Sequence, residues 1–269
     1  MGAGMTTPAS PSDPERRSAE GRGGPFTYTD EGSGPVIVAV HGLPGSVRDY
    51  RWLGAALGGS ARFVRLDLPG FGGTPLSSGP GPSIDARGAF VADALGALEV
   101  SRCVLVGHSM GGAVALSAAV QAPDRVGALG LLASIGLRPH RLLRRFVGAG
   151  AFASAVDQPL LRWPSRTLLK AVFRRLGFPA QTTADEVAHT VRCAAAVDFE
   201  TQARNTARLT ARTLSAWAED DAFIERAVFE EHAAALPKGP RLTWAKGGHN
   251  IQKTHAVELA EALVALSRG

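Results

Sequence analysis

The sequence predicts an α/β fold, with a mostly parallel central sheet flanked by helices and an inserted all-helical lid. Three observations predict it. Short runs that are apolar nearly throughout recur along the chain, as in strands buried on both faces. Helical patterns lie between most of them, the alternation of a parallel sheet with right-handed crossovers. One long stretch, residues 137–208, breaks that alternation with no strand-like run at all.

Residues 1–24 are rich in Pro, Ser, Gly and charge, and predict a flexible tail. FTYTDEGSGP (26–35) reads as an alternating strand followed by a turn. PVIVAV (35–40) and ARFVRLDL (61–68) are buried strands, and residues 83–98 are a helix. RCVLVG (102–107) is a strand that runs into a helix over 110–121, and VGALGLLAS (126–134) is the next strand. Residues 137–208 read as several helices punctuated by Pro139, Pro159, Pro164, Gly177 and Pro179. The pattern then resumes with a strand RTLSAWA (212–218), a helix over 222–235, a strand RLTWA (241–245) and a helix over 253–267. The expected core domain therefore covers 25–136 and 209–269, with the lid at 137–208. No internal repeat of solenoid length is visible.

A chain of 269 residues, 45% of them hydrophobic, is long enough for one single-core domain with such an insertion. The net charge is +5, yet no Lys/Arg block is interleaved with aromatics, and no nucleic-acid partner is expected. The segment from Leu137 to Arg212 holds twelve arginines and one lysine against five acidic residues. That surplus reads first as the solvated faces of amphipathic helices, and second as an attraction for acidic substrates or an anionic surface. Two cysteines, Cys103 and Cys193, are too few for a disulfide framework or a metal cluster. No apolar run reaches membrane-spanning length, so no stable membrane insertion is expected. The N-terminus lacks the apolar core of a signal peptide, and the expected location is cytoplasmic. The sequence leaves the oligomeric state open.

The chemistry concentrates where strand 102–107 meets helix 110–121. Gly107-His108-Ser109-Met110-Gly111 fits G-x-S-x-G in its required strand–turn–helix setting. A strand reversing directly into a helix strains the apex residue, so the residues two before and two after it must be small. This lifts the Ser109 hydroxyl above the sheet edge at a helix N-terminus, where the dipole favours developing negative charge. A serine needs a base. His249 follows a strand in the glycine-rich loop AKGGHN, at the sheet edge where open α/β folds place their chemistry. The base needs an acid, and Glu219-Asp220-Asp221 ends the strand RTLSAWA at the same edge. Asp221 is the first choice, with Asp220 and Glu219 after it. The backbone N–H groups of Met110 and of Leu43, in the loop HGLPG, are the candidate oxyanion donors.

These segments together resemble the α/β-hydrolase fold superfamily, in its single-lid serine hydrolase, esterase-like form. EGSGPVIVAVHGLPG is similar to that family's first strand and oxyanion loop, and RLDLPGFGGTP to its next strand and turn. VGHSMGG is similar to its nucleophile turn, AWAEDDAFI to its acid loop and GGHN to its histidine loop. The order Ser, Asp, His is the family's order. Ala218 stands where the family's acid loop often has glycine. Family members with Asp at the nucleophile position cleave epoxides or carbon–halogen bonds, and Ser109 argues against both. The resemblance implies cleavage of carboxylic esters of small, largely apolar substrates through an acyl-enzyme, with no cofactor and no metal. The same triad in similar proteins also hydrolyses carbon–carbon bonds of ring-fission diketones or forms peracids, and some relatives act as ligand receptors.

Overall fold

The computed structural model describes residues 11–145, 158, 162–175, 180, 182–237 and 239–268. Eight strands form one sheet: β1 (Arg17–Gly21), β2 (Gly24–Glu31), β3 (Val36–Val40), β4 (Arg62–Leu66), β5 (Cys103–His108), β6 (Val126–Leu132), β7 (Arg212–Ala218) and β8 (Arg241–Trp244). Their spatial order is β1-β2-β4-β3-β5-β6-β7-β8. The first two strands run antiparallel to their neighbours and the rest are parallel. In register, Ala39 of β3 lies between Arg65 of β4 and Val106 of β5.

Alternation along the central strands divides the core. Ile37, Ala39, Val104 and Val106 face one buried cluster, while Val38, Val40 and Leu105 face another. This period of two is why these strands are apolar on every residue. Helices cover both faces. Leu53 and Leu57 of α1 (Arg51–Leu57) join the first cluster, as do Leu259 and Leu263 of α10 (Ala256–Ser267). Val91 and Leu95 of α2 (Ile84–Ala97) join the second, with Leu116 of α3 (Met110–Gln121). The Ser83 hydroxyl accepts the Ala86 N–H at 3.2 Å and starts α2.

Between β6 and β7 the described chain is helical: α4 (Arg141–Arg145), α5 (Arg162–Arg175), α6 (Ala184–Ala195) and α7 (Phe199–Arg208). Thr183 and Glu186 cap α6 reciprocally, through bonds of 3.1 Å and 2.7 Å. Leu169 and Phe173 of α5 pack on Val187, Ala188 and Val191 of α6, in a small cluster separate from the two main ones. Asn205 of α7 donates to Asp85 of α2 at 2.7 Å and ties this segment to the core. Among the proline and glycine punctuation points of this segment, Pro159, Gly177 and Pro179 lie outside the described residues. After β7 come α8 (Arg226–Ala235), β8, the short α9 (Ile251–Thr254) and α10. Among the described residues no helix is long and apolar enough to cross a membrane.

Two expectations need correction. Residues 17–21, assigned above to a flexible tail, form β1 and pair with β2, from Arg17 opposite Tyr28 to Gly21 opposite Gly24. The strand is polar because it lies at the sheet edge with one side in water, and the Asp93 carboxylate accepts the Arg22 N–H at 2.7 Å at its turn. Residues 1–10 of that tail lie outside the described residues. The second correction is α1, which the periodicity did not mark because it is seven residues long with Gly54 at its centre.

Candidate active site

Ser109 sits between β5 and α3 with φ 55° and ψ −125°, a left-handed conformation that strains a residue with a Cβ. Its N–H is bonded to the Leu132 carbonyl at 3.0 Å, and its carbonyl accepts the Gly112 N–H at 3.0 Å. The glycines answer to close approach. A Cβ on Gly111 would stand 2.6 Å from the Val40 oxygen, and one on Gly112 2.6 Å from Ser134 Cβ. A Cβ on Gly42 would stand 3.1 Å from Ser109 Cβ, which shows how closely the loop after β3 approaches the turn.

His249 lies between β8 and α9. Gly248, at φ 65°, donates its N–H to Asp220 at 2.7 Å and holds the loop against the end of β7. His249 Nδ1 lies 2.7 Å from Asp221 Oδ2. The other oxygen of Asp221 accepts the N–H groups of Phe223 and Ile224 at 2.7 and 3.0 Å. Burial raises the Asp221 carboxyl's pKa, but the His249 bond and these two amides outweigh it, and the net shift is downward. An ionised carboxylate only accepts, so Nδ1 carries the proton and Nε2 is left as the acceptor. Of the three acids in the loop, Asp221 holds the imidazole, Asp220 braces its loop, and Glu219 pairs with Arg226 at 2.8 Å.

Ser109 and His249 line one cavity of about 320 Å³, with Leu43 and Phe223 among its walls. That is at the low end of the volumes usual for small-molecule sites. Among the described residues no hydrogen bond joins the Ser109 hydroxyl to the ring; such bonds tighten when substrate binds. A smaller lobe of about 60 Å³ opens from Ser109 between Met110, Leu143, Phe173 and Val191. Leu43, Ser109 and Leu142 line both lobes. Met110 is the first residue of α3, where a helix leaves its N–H without an intrahelical acceptor. Among the described residues no group of three His, Cys, Asp or Glu is arranged to hold a metal ion.

Sequence reasoning missed His108 as a neighbour of His249. Its ring packs 4.8 Å from that of His249, between centroids, and its Nε2 donates to the His249 carbonyl at 2.9 Å. Burial and the adjacent His249 push it down to about 3, so it stays neutral. His41 is structural. Its Nδ1 donates to the Gly42 carbonyl at 2.7 Å, its Nε2 accepts from Leu68 at 3.0 Å, and burial lowers it to about 4. Trp52 also lines the cavity.

With this geometry in view, the wider comparisons bear on the chain. Residues 37–262 match the model of the alpha/beta hydrolase family, and the chain belongs to that family. The dihydrolipoyllysine-residue acetyltransferase component of the acetoin cleaving system of Pseudomonas putida is 29% identical over 250 residues, 90% of this chain, which spans 66% of that protein's length. A 2-hydroxy-6-oxononadienedioate/2-hydroxy-6-oxononatrienedioate hydrolase of Burkholderia vietnamiensis is 26% identical over 251 residues, covering 85% of this chain and 86% of that protein. A thermophilic esterase from Thermogutta terrifontis is similar in fold, with a TM-score of 0.73 at 20% identity over 94% of this chain and 98% of that one. The α/β-hydrolase fold is thus the fold of this protein.

Proposed function

We propose that the protein is a serine hydrolase that cleaves small carboxylic esters through an acyl-enzyme. The observation that supports this most is an imidazole held at 2.7 Å by a buried carboxylate, lining the same cavity as a serine on a strained turn. In the first half-reaction the Ser109 oxygen attacks the ester carbonyl while His249 Nε2 takes the hydroxyl proton. The tetrahedral oxyanion is held by the N–H groups of Leu43 and Met110. The imidazolium then gives its proton to the departing alkoxide, the C–O bond breaks, and an alcohol leaves. In the second half-reaction His249 deprotonates water, hydroxide attacks the acyl-enzyme, and Ser109 departs with the proton returned. Asp221 keeps Nδ1 protonated and stabilises the imidazolium throughout. The helices between β6 and β7 act as the lid, with Leu143, Phe173 and Val191 bordering the apolar lobe.

The test is turnover of p-nitrophenyl acetate. Ser109→Ala is expected to lose about 10⁵–10⁶-fold in kcat, and a fluorophosphonate probe is expected to label wild type but not the variant. Equal turnover by both overturns the assignment. A second reading, hydrolysis of a carbon–carbon bond in a vinylogous diketone acid, is supported by the Burkholderia vietnamiensis relative. Faster cleavage of such a diketone than of any ester in a matched panel would favour it.

A further inference from the structure

The larger lobe is not apolar. Its wall carries Arg51, at the start of α1, and Lys253, in α9, both against the indole of Trp52. The guanidinium carbon lies 3.5 Å from the Trp52 ring centroid and the Lys253 ammonium 4.6 Å from it. Two cations that would repel each other in isolation are held together because the ring attracts both. Among the described residues Asp49 is the one acid lining this wall; its carboxylate accepts the Ser46 N–H at 3.2 Å and offsets one of the two positive charges. The wall therefore presents an excess of positive charge to whatever fills the lobe. The other lobe is small and lined mostly by apolar side chains, with His140 and Thr190 beside Ser109 as its polar groups; burial favours the neutral form of His140, so a charged group is disfavoured there.

We propose that this wall is a binding site for a carboxylate on the substrate, and that the protein selects esters with a short alkyl or acyl part on one side of the scissile bond and an anionic acid group on the other. Arg51 and Lys253 grip the carboxylate by charge-assisted hydrogen bonds, and the Trp52 ring positions the two cations by cation–π contact rather than touching the anion. The expectation of a largely apolar substrate then holds only for the part that enters the smaller lobe. The chemistry rests on the ester-hydrolase reading above, but the anion site does not depend on it.

The experiment compares kcat/KM within two pairs at low ionic strength: monomethyl against dimethyl succinate, and O-acetylglycolate against its methyl ester. In each pair the charged member is expected to be preferred about tenfold or more. The preference should reside in KM and shrink as salt is raised, because these cations are partly exposed and screened. The Arg51→Gln/Lys253→Gln double variant should lower the charged-to-neutral ratio about tenfold, with Lys253→Gln alone in between. Equal or better use of the neutral esters by wild type, or an unchanged ratio in the double variant, overturns the proposal. If no ester is cleaved, the ester-hydrolase reading fails, and the anion site is judged by titration calorimetry with succinate and active-site-intact wild type. Binding weakened about tenfold by the double substitution upholds the site; no binding, or equal binding by both proteins, overturns it.

Discussion

Asp221 divides its two oxygens between different tasks: one is fixed by the amides of Phe223 and Ile224, the other faces His249. That division makes Asp221→Asn informative. The asparagine carbonyl would keep the two amides, so its NH₂ group would face Nδ1 and force the wrong tautomer. Steady-state kinetics should show kcat lower by about 10⁴-fold with little change in stability. Asp220 only accepts the Gly248 N–H from an exposed position, so Asp220→Asn should cost less than about tenfold. A larger loss from Asp220 than from Asp221 would reverse the assignment. The serine was legible from its flanking glycines, because a tight turn leaves a spacing signature. The choice among Glu219, Asp220 and Asp221 was legible only as an order of preference, since it is decided by the direction of two backbone amides. His108 was illegible because nothing in a sequence says which way a ring turns at a strained residue's neighbour.

At the scale of elements, the site is the meeting of four loops at the carboxyl edge of the sheet, after β3, β5, β7 and β8. The loop after β3 comes so close that Gly42→Ala would bring a methyl group to 3.1 Å from Ser109 Cβ and 3.0 Å from His108 Nδ1. The loop carrying Leu43 would have to retreat. Displacing one oxyanion donor is expected to lower kcat about 10²–10³-fold, while the melting temperature changes little, because the contact is local. Unchanged kcat would remove Leu43 from the oxyanion site. The parallel strands were legible from their continuous apolar runs, and α2 and α3 from the helical patterns between them. The edge strand β1 was not, because half of an edge strand faces water and its composition resembles that of a loop. Nor was α1, whose helical character comes from packing Leu53 and Leu57 on the core rather than from propensity.

The molecule as a whole buries five histidines whose neutral form is favoured by burial: His41, His189 and His232 are lowered to about 4, His108 to about 3, and His140 is lowered as well. An unfolded chain takes up these protons below about pH 6.5 while the folded one refuses them until about pH 4. Each histidine therefore removes up to about 1.4 kcal/mol of stability per pH unit as the pH falls through that window. Asp49 acts against them: burial raises it to about 6, so the folded state holds its proton more tightly than the unfolded one does. Five groups outweigh one, and the melting temperature should fall steadily from pH 6.5 to pH 4; a flat profile would show that these rings are hydrated or protonated in the folded protein. The cationic wall belongs to this scale too, since Arg51 and Lys253 come from opposite ends of the chain and meet only through the packing of α1 against α9. Ser109 stands where two unequal chambers join. An asymmetric carbon beside the reacting carbonyl, bearing one bulky arm and one small one, fits that junction in a single handedness. A racemic ester should accordingly be resolved, leaving one mirror image unreacted, with the enantiomeric excess of the remainder read by chiral chromatography.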